Sequence, residues 1–189
     1  MTIHSAPCAA ALCFAIVGTA AADSFTIDSR HTFPSFEISH IGFSTQRGRF
    51  DRTSGKIQLD PKAKTGDIEV TIEADSIDTG LAELEAKLKE AEFFNTSQYP
   101  AITFKSDKLE FVGDTPSAAE GTLTLLGVSK PLLLKIDHFH CGFHPVYKRE
   151  VCGADASGQI KRSDFGMKAF LPVVGDEVKI LIQVEAFKD

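Results

Sequence analysis

Tryptophan is absent from this chain and tyrosine nearly so, with two residues against fifteen phenylalanines. Tyr and Trp carry a polar handle that suits wet interfaces, whereas Phe brings bulk alone. The skew points to a greasy interior, either a filled core or a lined cavity. Basic charge is also short. The 20 Lys and Arg face 26 Asp and Glu, a net −6 at pH 7, which leaves no footprint for nucleic acid or anionic headgroups. No apolar run reaches the roughly 20 residues that a bilayer-spanning helix needs, so no stable membrane insertion is expected. Phosphate-binding glycine loops, a G-x-S-x-G elbow, H-E-x-x-H and C-x-x-C are all missing. Nothing pairs Ser44 or Ser163 with a base, and Glu37, Glu69 and Glu73 fall at strand positions that face water. No catalytic chemistry is legible, and the chain reads as a non-enzyme.

The first 22 residues hold no Asp, Glu, Lys or Arg. Ala9–Val17 is an unbroken apolar run followed by Ala20-Ala21-Ala22, the pattern of a secretory signal peptide cleaved before Asp23. A positive n-region is lacking, and the alternative is a buried N-terminal helix. Pro7 and Leu12 precede Cys8 and Cys13, which disfavours a lipoprotein signal. The expected organisation is a signal peptide over 1–22 and one soluble domain over 23–189. Export leaves two cysteines, Cys141 and Cys152, and an even count in an oxidising compartment favours a disulfide over a metal or redox pair.

Most of the domain alternates with period two. Ile68, Val70 and Ile72 share a face, as do Ile102 and Phe104, Leu123 and Leu125, Leu132, Leu134 and Ile136, and Val178 through Ala186. Turn chemistry at Thr53-Ser54-Gly55, Asp60-Pro61, Gly113-Asp114, Gly127 and Gly175-Asp176 separates the runs. Short alternating strands at this spacing predict an all-β antiparallel sandwich or barrel with one face buried. One segment breaks the rhythm: Leu81, Leu84 and Leu88 recur at helical spacing, predicting an amphipathic helix over Leu81–Phe94 with capping by Asp78-Thr79-Gly80. Its apolar stripe is expected across the barrel mouth or face.

The cysteine-bearing hairpin carries an internal tension. Placing Cys141 opposite Cys152 sets the apolar face of one strand beside the polar face of the other, since a one-residue shift flips a whole strand. A bulge, or a disulfide beyond the regular ladder, is therefore predicted. His138, His140 and His144 gather on the same hairpin. They suit zinc or copper or stand as imidazoles near solvent. His40 has the inward parity of Phe36 and Ile38, so it is either a hydrogen-bonded structural group or a polar contact for a ligand head.

Several segments in order resemble the YceI-like family of bacterial exported lipid-binding proteins. They are His31-Thr32-Phe33, Phe36-x-Ile38-x-His40-Ile41-Gly42 and Arg47-Gly48-Arg49-Phe50, then Ser76-Ile77-Asp78-Thr79-Gly80 and Phe93-Phe94 running into Tyr99-Pro100-Ala101-Ile102-Thr103-Phe104. Gly121-Thr122-Leu123-Thr124, Gly127-Val128-Ser129-Lys130-Pro131 and Arg162-Ser163-Asp164-Phe165-Gly166-Met167 complete the set. Where the family often carries an Arg-Asp pair before the helix's Leu, this chain has Glu83-Leu84-Glu85-Ala86-Lys87-Leu88. The resemblance implies a lipocalin-like antiparallel β-barrel with one amphipathic helix and a long apolar channel. It also implies residence in the periplasm, polyisoprenoid or isoprenoid-quinone lipids (or other long-chain amphiphiles) as ligands, and a link to stress responses. The lipid or quinone is the ligand, and no cofactor is expected.

Parity and position then name the channel-lining candidates: Phe36, Ile38, His40, Val70, Ile72, Leu84, Leu88, Phe94, Ile102, Phe104, Leu134, Ile136, Phe170, Ile180 and Ile182. The competing readings are a metal or redox protein using the histidine cluster, and a scaffold partner of a membrane complex with a filled core. A homodimer is left open.

Overall fold

A computed structural model describes residues 22–189; all of the expected signal peptide but Ala22 lies outside the described residues. Eleven strands and one short helix follow in chain order: β1 (Asp23–Ile27), β2 (Phe33–His40), β3 (Ser44–Phe50), β4 (Thr53–Asp60), β5 (Thr65–Glu73), β6 (Ile77–Asp78), α1 (Ala82–Leu88), β7 (Ala101–Val112), β8 (Thr115–Leu125), β9 (Val128–His144), β10 (Arg149–Lys161) and β11 (Val174–Lys188). Every pairing is antiparallel. The ladder β1-β4-β5-β7-β8-β9-β10-β11 returns to β1, closing an eight-stranded barrel, and β2, β3 and β6 continue from β11 as a branch.

The closure has an unusual seam. One edge of β11 is shared: Val174–Gln183 pairs with β2, and Ala186–Lys188 pairs with β1. Between these two stretches the first strand is interrupted at Asp28–Thr32, and the side chain of Thr32 fills the gap. Its hydroxyl donates to the Glu185 carbonyl (3.3 Å) and accepts from the Glu185 N–H (3.2 Å). The Asp28 N–H also donates to the Glu185 carbonyl, at 2.9 Å. Among the described residues Thr32 is the largest of the fully buried side chains, 1% exposed, so a side chain here replaces a missing rung of the main-chain ladder.

The barrel's two ends differ. One end holds the β4–β5, β7–β8 and β9–β10 turns with both ends of the described chain. Phe25, Ile27, Leu59 and Ala186 are buried there in one cluster, with Phe139 and Cys152 against it. The other end holds the β2–β3 turn, α1, the β8–β9 turn and the 3-10 turn Arg162–Phe165. Between the ends, Phe50, Ile72, Ile102, Phe104, Leu123, Leu132 and Leu134 line the inner wall. Glycine makes room for two inward rings. A Cβ at Gly48 would sit 2.5 Å from the Phe36 ring, and one at Gly121 would sit 2.6 Å from the Phe104 ring.

The cysteine hairpin resolves its tension as the sequence predicts. Cys141 and Cys152 are direct partners, joined by a disulfide with Cα atoms 4.0 Å apart. The register then slips: Asp155 pairs with His138, and Ala156 with Ile136. Asp137 is the extra residue, and this bulge returns Leu134 and Ile136 to the face of Ala156 and Ile160.

The helix is shorter than its periodicity predicts. It ends at Leu88 rather than Phe94, because the chain turns back on itself: the Phe94 N–H donates to the Leu88 carbonyl and the Asn95 N–H to that of Glu90. That reversal delivers Phe94 to Phe50 and Phe36, with ring centroids 5.4 and 6.5 Å away. Capping also differs. No side chain caps the helix; instead the Glu85 carboxylate accepts the Thr79 N–H at 3.0 Å, and Asp78 accepts the Gly80 N–H at 2.9 Å. Leu81 leaves the apolar stripe and is 54% exposed.

Candidate functional site: an apolar cavity within the barrel

The barrel encloses a cavity of about 690 Å³, within the range of small-molecule sites. Every residue named from parity lines it. β2 contributes Phe36, Ile38 and His40; β5 contributes Val70 and Ile72; β7 contributes Ile102 and Phe104; β9 contributes Leu134 and Ile136; β11 contributes Ile180 and Ile182. Leu84 and Leu88 of α1, with Phe94 and Phe170 from the adjoining loops, complete the set at the mouth. Phe170 stacks on Phe93, centroids 6.1 Å apart, while remaining 59% exposed. The two rings form part of the rim.

The cavity is broader than the sequence reading. Phe50, Leu109, Leu123, Leu132, Phe139, Ile160, Met167 and Val178 line it as well. Leu123, Leu132 and Val178 share parity with residues already named and were legible on that basis. Phe139 was hidden by the bulge at Asp137, which reverses parity along β9. The polar liners were harder to find, because an alternation argument discards charged residues. They include Thr32, Gln46, Arg47, Thr53, Lys87 and Arg162.

Arg162 is 3% exposed. Its Nε donates to the Gly175 carbonyl at 2.7 Å, Nη1 to that of Met167 at 3.1 Å and Nη2 to that of Val174 at 3.1 Å. Burial pushes its pKa down, and Asp176 opposes this. The Asp176 carboxylate is itself held by Ser163, through the backbone N–H at 2.9 Å and the hydroxyl at 2.8 Å, which lowers its pKa. Thr53 is 3% exposed, and its hydroxyl is buried without a hydrogen-bond partner.

The histidine cluster is on the other side of the wall. His31, His138, His140 and His144 border a shallow groove with Asp155 and Glu185, separate from the barrel interior. The His31 Nδ1 lies 2.8 Å from the Asp28 carboxylate. The Nδ1 of His144 accepts the Val146 and Tyr147 N–H groups, each at 3.2 Å, shaping the hairpin tip. Among the described residues, no three His, Cys, Asp or Glu side chains are placed to hold a metal ion. Likewise, among these residues no helix is long and apolar enough to cross a membrane.

Fold and cavity together define a lipocalin-like class: a closed antiparallel barrel built around an apolar interior. A profile of the YceI-like domain matches residues 25–186, and the chain belongs to that family. It is 37% identical to the protein YceI of Escherichia coli over 171 residues, covering 89% of this chain and 88% of that one. Among solved structures, BcnA of Burkholderia cenocepacia superposes with a TM-score of 0.71 at 21% identity, over 84% of this chain and 98% of that one. A polyisoprenoid binding domain from Saccharophagus degradans, implicated in plant cell wall breakdown, superposes with a TM-score of 0.63 at 18% identity. That match covers 87% of this chain and 98% of its counterpart. At such identities the two structures attest the barrel alone.

Proposed function

We propose that this protein is a non-enzymatic carrier of a long-chain isoprenoid lipid or isoprenoid quinone, exported to the periplasm through cleavage before Asp23. The observation that carries the reading is the apolar cavity within the barrel, walled by aliphatic side chains and Phe rings, with Leu84 and Leu88 of α1 in its lining. The Saccharophagus domain's polyisoprenoid ligand class adds support through a shared barrel. The energetics are adequate. Burying lipid methylenes gains roughly 0.8 kcal/mol each, so about ten offer roughly 8 kcal/mol before ordering costs are subtracted. An acidic exterior keeps such a carrier soluble. The metal or redox alternative lacks a three-ligand cluster among the described residues, and the filled-core scaffold reading conflicts with the cavity.

Mass spectrometry of an organic extract of the protein purified from its native host tests the proposal. An isoprenoid species at near-stoichiometric amount is the expected result. Protein that carries no lipid and also fails to take up isoprenoid quinones overturns it.

A further inference from the structure

The chain carries more acid than base, with 26 Asp and Glu against 20 Lys and Arg. Yet among the described residues not one carboxylate lines the cavity, while Arg47, Lys87 and Arg162 all do. The three cations are not equivalent. Arg47 is bonded to Glu37 at 2.8 Å, and Lys87 to Glu90 and Glu92 at 2.7 Å each. Both are substantially exposed, and water together with their carboxylates screens them.

Arg162 is the exception. It is buried, its acceptors are three neutral carbonyls, and no carboxylate among the described residues pairs with it. The carboxylate that acts on it, Asp176, is engaged by Ser163 instead. A guanidinium has five N–H donors and no acceptor. Three are used here, which leaves two without an acceptor in the structure. A buried charge that lacks a counter-charge is costly, and the walls around this one are apolar, so its field is weakly screened. Arg162 also sits at the right height. The 3-10 turn Arg162–Phe165 joins the top of β10 to the loop before β11, at the mouth rather than at the plugged end.

We infer that the cavity selects amphiphiles with an anionic head, a carboxylate or a phosphate monoester, whose chain fills the barrel and whose charge lies at the mouth beside Arg162. This rests on the lipid-carrier reading and narrows it. A head of this class supplies the absent counter-charge and accepts the two spare N–H donors. A neutral head accepts without neutralising, and a cationic head is repelled. Arg47 and Lys87 add a weaker attraction of the same sign, screened by salt.

The test is a chain-matched series. N-phenyl-1-naphthylamine is loaded into delipidated protein and displaced at neutral pH by geranylgeraniol, geranylgeranoic acid, geranylgeranyl monophosphate or geranylgeranylamine. The acid or the phosphate is expected to bind at least about tenfold tighter than the alcohol, the scale of one charge-assisted hydrogen bond, and the amine weaker than the alcohol. Whichever anion ranks first identifies the source, an isoprenoid acid or a prenyl phosphate. Arg162→Lys is expected to keep the order and Arg162→Met to flatten it. Should either variant fail to fold, the wild-type series still decides. If the alcohol binds and neither anion exceeds it, or if the amine matches the anions, the inference is overturned while the carrier reading stands. If none of the four displaces the probe, the carrier reading falls as well.

Discussion

The two ends of this barrel are built from the same alternating strands and do opposite things. At the plugged end Phe25, Ile27, Leu59 and Ala186 exclude solvent from one another, a disulfide closes the β9–β10 hairpin, and Tyr147 lies edge-on to Phe187, centroids 5.1 Å apart. At the mouth the helix has no fully buried residue, and Ile41, Phe170 and Val173 are each about half exposed or more. Val112, Phe143 and Val146 are exposed at the turns of the plugged end as well, but they lie outside the cavity, whereas Ile41, Phe170 and Val173 at the mouth line it. On the proposed reading stability and binding are spatially separated, so substitutions at the two ends are expected to change different observables.

The largest effect is expected from Phe25→Ala. Emptying a buried aromatic site costs about 3–5 kcal/mol, whereas Leu84→Ala on the half-buried helix costs less than about 1 kcal/mol, since little area is removed from water there. Urea denaturation of both variants checks the contrast, and equal midpoints would erase the distinction between the ends. Ile38→Trp sharpens it next. If the inner wall beside Ile38 borders open space, the indole occupies the cavity, so lipid uptake is lost while stability changes by less than about 1 kcal/mol; a filled core would instead lose roughly 1–3 kcal/mol through overpacking. Paired denaturation and probe-uptake measurements separate the two outcomes.

The smallest effect concerns the ties that finish the plugged end. The Asp189 side chain accepts from Ser24 at 2.6 Å, Thr26 at 2.5 Å and Lys56 at 3.1 Å. These bonds, those from Ser24 and Thr26 foremost, hold its pKa down to about 2. A depressed carboxylate contributes stability above its unfolded pKa of about 3.9 and loses it as pH falls through the folded value. Asp189→Asn is therefore expected to lower Tm slightly at neutral pH. The difference should shrink between pH about 4 and about 2, and a difference constant across that window would show that the charge is not involved.

How much of this was legible in the sequence follows from what alternation encodes. Period two states which side chains point inward, and Ile38, Phe104 and Ile182 point inward. It does not state whether the inward space is full, because that depends on the circumference of the closed sheet and on rings such as Phe36 and Phe104 seated over Gly48 and Gly121. The hairpin bulge was legible because two constraints, a disulfide and an apolar face, conflicted by one residue. The helix end was not, since Phe93 and Phe94 continue a plausible pattern, and only the reversal onto Leu88 and Glu90 ends it. Arg162 escaped because a charged residue carries no parity signal; its burial is set by the Met167 carbonyl just beyond its own turn and by those of Val174 and Gly175 at the start of β11.

The seam along β11 gives the separated ends a mechanical counterpart. Because β1 and β2 hold different lengths of one neighbour, with Thr32 spanning the break, the hairpin of β2 and β3 is attached to the barrel as a leaf is attached to a book. The spine is β1 against the last rungs of β11, and the far edge of the leaf is held by β6 at Arg49 and Phe50. One long strand thereby serves both ends of the barrel, the doorway through β2 and the floor through β1, and a single threonine hydroxyl marks where one neighbour gives way to the other.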